Sequence, residues 1–534
     1  MGFTDGALRL LSDYMSQAVR ERPDHVAFLY GEQTITYREF AQQAEKLACY
    51  LLKLGVQKGD RLAYLMTPRP EFFYLYMAAS RIGAIIVGIG TRQSNREIEY
   101  VLNNSEAIAV FTLHSMYEYD YQERFEKILP RCPSVKHICI VGGPAKLENA
   151  LSFDEILQGD YSEYLPALLE REAQVSTDDG LIIVYTSGST GVPKGALMSH
   201  KNIIHMSLVE IGMCEAGSDD IWINHLPVNH VSGATEVGAT AIVANSTQVL
   251  EPFNPVRTLE LIQQHKVTIL GQVPTMFAME FALPDYDKYD LSSLRRVVIS
   301  GAAAPMEILR KMKETMCDYC YNCLGLTEGS GLITYTEKGA DLETLNLTVG
   351  KVAPDFEMKL VDKNRQEVPP GEVGEIAYRG TSVIKEYFKL PEATAAAFDN
   401  EGWFYSGDLG FIDEDGNLRM VGRSKEMYIT NGENIYPAEV EDAIMRYTGV
   451  MLCAVVGVPH EISGHVGRAY IVPLPGHQID TDDLKEFLKE YLATYKNPRE
   501  YVFREALPMT LLGKIEKKLL RQEVEAELQA KNQA

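Results

Sequence analysis

The residues best suited to chemistry lie in YTSGSTGVPKGALMSH, Tyr185 to His200. An apolar run, LIIVY, leads into Thr186, Ser187, Gly188, Ser189, Thr190 and Gly191, and Pro193, Lys194 and Gly195 follow. Such a loop can aim backbone N–H groups and hydroxyls at one point while Lys194 adds a point charge, which suits a polyphosphate. It is not a Walker loop: Lys194 follows Pro193 and precedes Gly195, where that motif needs Gly-Lys-Ser/Thr.

Two other constellations compete. CDYCYNCLGLTEGSG, Cys317 to Gly331, has the first three spacings of a ferredoxin-type cluster motif. The fourth cysteine should follow after three residues, ahead of a proline, and Thr327 and Glu328 stand there instead. The cysteines therefore read as small packing residues near a strand end. In PHEISGH, His460 and His465 are five apart rather than four, so they would not share a helix face around zinc. Neither zinc nor an iron–sulfur cluster is expected.

The Tyr185 to His200 stretch resembles the signature of the adenylate-forming superfamily, and five further motifs follow in that family's order. They are SGAAAP (300–305), LGLTEGSG (324–331), YSGDLG (405–410), GRSKEMYITNGENIYPAEVE (422–441) and LLGKIEKK (511–518). The resemblance spans nearly the whole chain and points to the AMP-dependent acyl-CoA synthetase, or fatty-acid–CoA ligase, branch. It implies that a carboxylic acid and ATP give acyl-AMP and pyrophosphate, and that coenzyme A then displaces AMP. No side-chain nucleophile is needed.

The same resemblance implies roles. Thr186 to Gly191 and Lys194 would hold the phosphates, with Thr327 beside them, and Gly301, Ala302, Ala303 and Leu324 would hold the adenine. Glu328 would bind Mg2+, since carboxylate oxygen suits a hard cation. Asp408 would accept from both ribose hydroxyls, assisted by Arg423. Lys514 would swing in from the small domain to neutralise the forming acyl-phosphate oxygens. One position departs from the pattern: an aromatic residue is expected where Leu324 stands. The lost π-face is worth on the order of 1 kcal/mol of ATP binding unless Tyr321, three residues upstream, compensates.

LPVNHVSGATEVG (226–238) is similar to the segment that borders the carboxylate site, which singles out His230. Gly233, Ala234, Gly301, Ala302 and Gly331 are small and leave room for a sizeable acyl group. A medium or long fatty acid, or a bulky aryl or alicyclic acid, is expected. Lys425 falls at the hinge position, and Gly432, with Glu433 beside it, falls where the pantetheine arm should pass close to backbone.

The elements that must position these residues are legible in outline. EFAQQAEKLACYLLKLG, DRLAYLM, EFFYLYMAASRIG and AIIVGI read as helix, strand, helix and strand, which is βαβ order and hence parallel sheet. LIIVYTS, HKVTILGQV and LRRVVISG extend the series as strands buried on both faces. From about residue 347 short strands between Pro and Gly turns read as antiparallel sheet or a small barrel. After GRSKEM the pattern turns α+β for a final stretch of about 110 residues. The expected architecture is a multidomain α/β protein. Residues 1–423 form a large domain with two parallel-rich sheets and a small β-barrel at about 347–420, 424–426 a hinge, and 427–534 a small mobile α+β domain.

At 534 residues and 46% hydrophobic content, two or more cores are expected. The net charge is −23 with no basic stripe, which excludes nucleic acid as a partner and requires a local positive site for any anionic substrate. No apolar run approaches the roughly 20 residues that span a bilayer, so no integral membrane segment is expected. Eight cysteines in a chain of this length fit a reducing cytoplasm. A homodimer is left open. Two other functions compete. One is an acyl-AMP ligase loading a stand-alone carrier protein, since no Gly-x-Asp-Ser-Leu attachment motif occurs in the chain. The other is a catalytically silent nucleotide-binding homologue.

Overall fold

A computed structural model describes residues 8–116, 119–186, 193–460, 462–474, 476–509 and 514–533. Two sheets carry the large domain. The first has nine strands in the order Lys351–Val352, Gly331–Tyr335, Cys320–Leu326, Arg296–Ser300, Ile269–Gln272, Ile221–Asn224, Thr247–Leu250, Val26–Tyr30 and Gln33–Thr36. Its interior pairs are parallel and its outer pairs antiparallel. The second has seven strands in the order Lys194–Ser199, Gly180–Thr186, Ile85–Gly88, Arg61–Leu65, Ala109–Leu113, His137–Val141 and Leu151–Ser152. All its pairs are parallel except the first.

One continuous hydrophobic core joins the two sheets. The helix Pro70–Ile82 lies in it and is buried nearly all round, as its unbroken apolar run FFYLYMAA requires. Gly83, left-handed at φ +70°, ends that helix and turns the chain into the strand Ile85–Gly88.

The region read as a barrel is a four-stranded antiparallel sheet, Phe356–Val361, Gly374–Gly380, Phe404–Ile412 and Leu418–Arg423. Two backbone bonds, Val349 N–H to Leu418 O and Leu418 N–H to Gly350 O, tie it to the edge of the nine-stranded sheet. The small domain has a five-stranded sheet built on the hairpin Val450–His460 and Gly464–Pro473. Strand alternation sends Cys453 and Val455 into one core and Ala454, Val456 and Val458 into another, with helices on both faces. The chain passes from the four-stranded sheet at Arg423 to the small domain's first strand at Tyr428 through a turn in which Glu426 and Met427 N–H both bond Arg423 O. Among the described residues no helix is long and apolar enough to cross a membrane.

Candidate active site

The motif residues gather outside the carboxyl ends of the parallel strands of the nine-stranded sheet, the usual ligand crevice of open α/β sheets. Arg296–Ser300 runs into Gly301, Ile269–Gln272 into Val273, and Cys320–Leu326 into the single 3-10 turn Thr327–Gly329. Lys514 of the small domain reaches the same place. A Cβ added to Gly301 would stand 3.1 Å from Lys514 Cε, 3.5 Å from its Nζ and 3.3 Å from Val273 Cγ1. Gly301 also has φ +87°, so the bare backbone here both turns the chain and admits the lysine.

Charge converges on this cleft. Burial, reinforced by Arg423, pulls the Lys514 ammonium below its usual range, while Glu236 and Asp408 pull it back. Lys425, exposed at the turn, is likewise lowered by desolvation and by the neighbouring Lys194 and Arg423. A chain of net charge −23 thus assembles Lys194, Arg423, Lys425 and Lys514 around one crevice. That is the local positive site an anionic substrate requires.

Asp408 and Arg423 are register partners on neighbouring strands, and Arg423 Nε donates to Asp408 Oδ1 at 2.9 Å. Burial raises the Asp408 carboxyl, opposed by Arg423 and Lys514. Thr327 is buried at the start of its turn. Glu328 follows, and its Oε1 accepts from Tyr387 OH at 2.6 Å. Lys194 Nζ lies 4.8 Å from the Tyr387 ring centroid. The strand Gly180–Thr186 returns directly as Lys194–Ser199, with Thr186 and Lys194 paired across the hairpin. The candidate phosphate loop therefore joins two strands, and Thr186 Oγ1 donates to Lys194 O. Ser187, Gly188, Ser189, Thr190 and Gly191 lie outside the described residues.

The segment expected to border the acyl group, Ser232–Ala239, winds as a π-helix, a rare form often found at functional sites. His230 precedes it, and its Nδ1 accepts from Ser232 N–H at 3.2 Å. Burial and the Lys514 ammonium push the His230 pKa down to about 3, so its ring is neutral at working pH. Ala234 is fully buried, whereas Ala302 and Ala303 are exposed in the loop after Gly301. The smallness of Gly233 has a different cause from acyl room. An added Cβ would sit 2.5 Å from Leu226 O and 2.6 Å from Pro227 O, so backbone fills that space. At Gly331 an added Cβ would meet Met206 Cγ at 2.9 Å and Glu236 Cγ at 3.1 Å.

The open space lies elsewhere. A Cβ on Gly271, in the middle of Ile269–Gln272, would meet nothing within 4 Å. Gly271 shares its strand face with Ile269, which packs with Trp222, Leu226, Val237, Ala241, Val273 and Met276. Because Val273 abuts Gly301 and hence Lys514, this apolar region borders the Lys514 end of the cleft.

Sequence reasoning missed Gly271, Tyr387 and Glu236. Glu236, on the π-helix, is buried with its carboxyl raised to about 7 by desolvation, against the pull of Lys514. Glu210 beside it is pushed well above the usual range by burial and by the Glu236 carboxylate. What marks Tyr387 is its contact with Lys194 and Glu328, and neither is local in sequence.

Tyr321, which could have stood in for an aromatic residue at Leu324, is turned away from it. Three residues apart in a strand, they face opposite sides; Tyr321 is buried in the main core with its hydroxyl donating to Met213 O. Cys320 and Cys323 separate for the same reason, one into each of two cores. His460 and His465 sit on the two arms of the hairpin Val450–His460 and Gly464–Pro473, not on a helix. Gly432, at φ +89°, and Asn431, at φ +52°, form the two-residue turn between Tyr428–Thr430 and Glu433–Ile435. That turn accounts for the glycine. Gly432 and Glu433 are exposed.

The chain matches the AMP-binding enzyme family over residues 15–388 and the AMP-binding enzyme C-terminal domain over residues 439–514. It is 31% identical over 518 residues to a 3-[(3aS,4S,7aS)-7a-methyl-1,5-dioxo-octahydro-1H-inden-4-yl]propanoyl:CoA ligase of Mycobacterium tuberculosis, covering 96% of this chain and 99% of the relative. It is 32% identical over 507 residues to a feruloyl-CoA synthase of an Amycolatopsis species, covering 95% and 97%. The crystal structure of the anthranilate CoA ligase AuaEII in complex with anthranoyl-AMP superposes with a TM-score of 0.89 at 26% identity, covering 98% and 99%. With the strand-end crevice and the inserted Lys514, these likenesses establish that the chain belongs to the AMP-binding enzyme family, in its acyl-CoA synthetase branch of AMP-forming acid–thiol ligases.

Proposed function

We propose that the protein converts a bulky aryl, alicyclic or medium-to-long aliphatic acid to its acyl-AMP and then to its CoA thioester. The observation that carries this reading is the seating of Lys514 against Gly301, within electrostatic reach of Asp408 and Arg423. The apolar space at Gly271 supports a bulky acyl group, and the similar proteins that ligate inden-yl propanoate and ferulate support aryl and alicyclic acids.

In this reading Asp408 holds the ribose, with Arg423 opposing the rise that burial imposes on its carboxyl. Lys194 draws the phosphates, and Lys514 neutralises charge that develops where the acid attacks the α-phosphorus. His230 stays neutral and borders the incoming carboxylate without competing for it. The residues fit Mg2+: Glu328 offers a hard oxygen, Oε1 is committed to Tyr387, and Mg2+ is commonly held by one or two carboxylates together with substrate phosphates. When bound, Mg2+ would offset charge on the departing pyrophosphate. The turn at 424–426 would act as the hinge on which the small domain rotates to admit the thiol, with Gly432 and Glu433 on the face then presented.

The test is pyrophosphate release over a panel of acids, with and without CoA. Acid-dependent release, followed by CoA-dependent AMP and thioester formation, is expected. No acid-dependent release with any acid would overturn the reading, and release indifferent to CoA would shift the acceptor to a carrier protein.

A further inference from the structure

The segment 384–388 ties together two regions far apart in the chain. Ile384 N–H bonds Glu328 O at 2.9 Å, on the turn that carries the candidate metal carboxylate. Phe388 N–H bonds Gly195 O at 2.7 Å, and Tyr387 bridges Ala196, on the strand leaving the phosphate loop. Tyr387 is the residue of this segment whose side chain touches functional groups on both sides. Its hydroxyl donates to Glu328 Oε1 at 2.6 Å and its ring lies 4.8 Å from Lys194 Nζ. The side chain is buried, so this hydrogen bond is shielded from water.

A carboxylate with two equivalent oxygens can rotate between metal-binding poses. One hydrogen bond to Oε1 restricts that freedom and leaves Oε2 as the oxygen not engaged by Tyr387. A lysine poised over an aromatic face gains cation–π attraction and loses rotamer freedom before its phosphate arrives.

We propose that Tyr387 is a positioning residue for the first half-reaction, orienting Glu328 through its hydroxyl and seating Lys194 through its ring, so that metal site and phosphate site are set by one side chain. This rests on the adenylate-forming reading above.

Two substitutions separate the two contributions. Tyr387→Phe keeps the ring and removes the donor; Tyr387→Leu removes both. The full-length protein is titrated with Mn2+ in the presence of a non-hydrolysable ATP analogue and followed by electron paramagnetic resonance, and analogue affinity is measured separately without metal. Tyr387→Phe should bind Mn2+ about tenfold more weakly, the loss expected for a hydrogen bond to a charged group, with metal-free analogue affinity unchanged. Tyr387→Leu should lose metal-free affinity as well. Wild-type Mn2+ affinity in Tyr387→Phe overturns the proposal. If Tyr387→Phe melts early, the steady-state split decides. A raised Mg2+ requirement at saturating ATP sustains the role, and an equal loss at all Mg2+ concentrations overturns it. A wild-type protein that binds neither the analogue nor Mn2+ would instead overturn the adenylate-forming reading itself.

Discussion

Arg423 Nε donates to Asp408 Oδ1 at 2.9 Å across adjacent strands, with the carboxylate side chain only 6% exposed and the guanidinium side chain 62% exposed. The buried partner is the one that burial penalises as an ion, and an exposed arginine opposes that penalty. Arg423→Ala should raise the Asp408 pKa further, because burial already raises it and Arg423 is the largest force opposing that. The KM for ATP should rise about tenfold, and by more as the pH is lowered, because a carboxyl raised further by loss of the arginine is protonated more readily. A KM shift independent of pH would remove the electrostatic role.

Lys514 and Lys425 should divide the two half-reactions. Lys514→Ala should slow acyl-AMP formation by on the order of a thousandfold while sparing thioester formation from supplied acyl-AMP. Lys425→Pro should do the reverse by stiffening the turn. The neighbouring Lys517 is no substitute for Lys514, since its Nζ is held by Glu441 at 2.7 Å and by Glu426 at 3.1 Å. Equal loss of both steps in Lys514→Ala would defeat the assignment.

Leu324→Tyr should lower the KM for ATP about fivefold, on the order of 1 kcal/mol of stacking. Tyr321 lies on the other face of the strand and cannot mask the gain. An unchanged KM would mean that adenine lies elsewhere.

Gly271→Leu should alter acid preference without harming the fold, because its φ is ordinary and an added Cβ meets nothing within 4 Å. The ratio of kcat/KM between a small acid and a bulky one should rise about 10- to 200-fold. An unaltered ratio would separate this space from the acyl site.

Glu280 should govern stability against pH. It is fully buried with its carboxyl pushed up to about 8, and Gln272 Nε2 donates to one oxygen at 2.8 Å. A carboxyl raised on folding binds its proton more tightly in the native state than in the unfolded one. Its contribution is therefore intact below the ordinary carboxylate range and declines as pH rises towards about 8. Glu280→Gln should be more stable than wild type near pH 9, by on the order of a few kcal/mol, with the difference vanishing near pH 5. Parallel melting curves at both pH values would refute the linkage.

Local chemistry made much of this protein legible from its letters. Apolar runs punctuated by Gly, Pro and capping residues encode strands and helices within a few residues of themselves, so the βαβ order and the α+β tail could be read directly. The six motifs are also short and local, which is why Glu328, Asp408, Arg423 and Lys514 could be named. What only the tertiary structure decided is which distant groups share a space, because that depends on how elements hundreds of residues apart pack. Lys514 meets Gly301, and Tyr387 joins Glu328 to Lys194. Packing also assigned meaning to small residues. Gly233 is filled by backbone while Gly271 stands before open space, a difference no spacing in the sequence could carry because both are simply glycine.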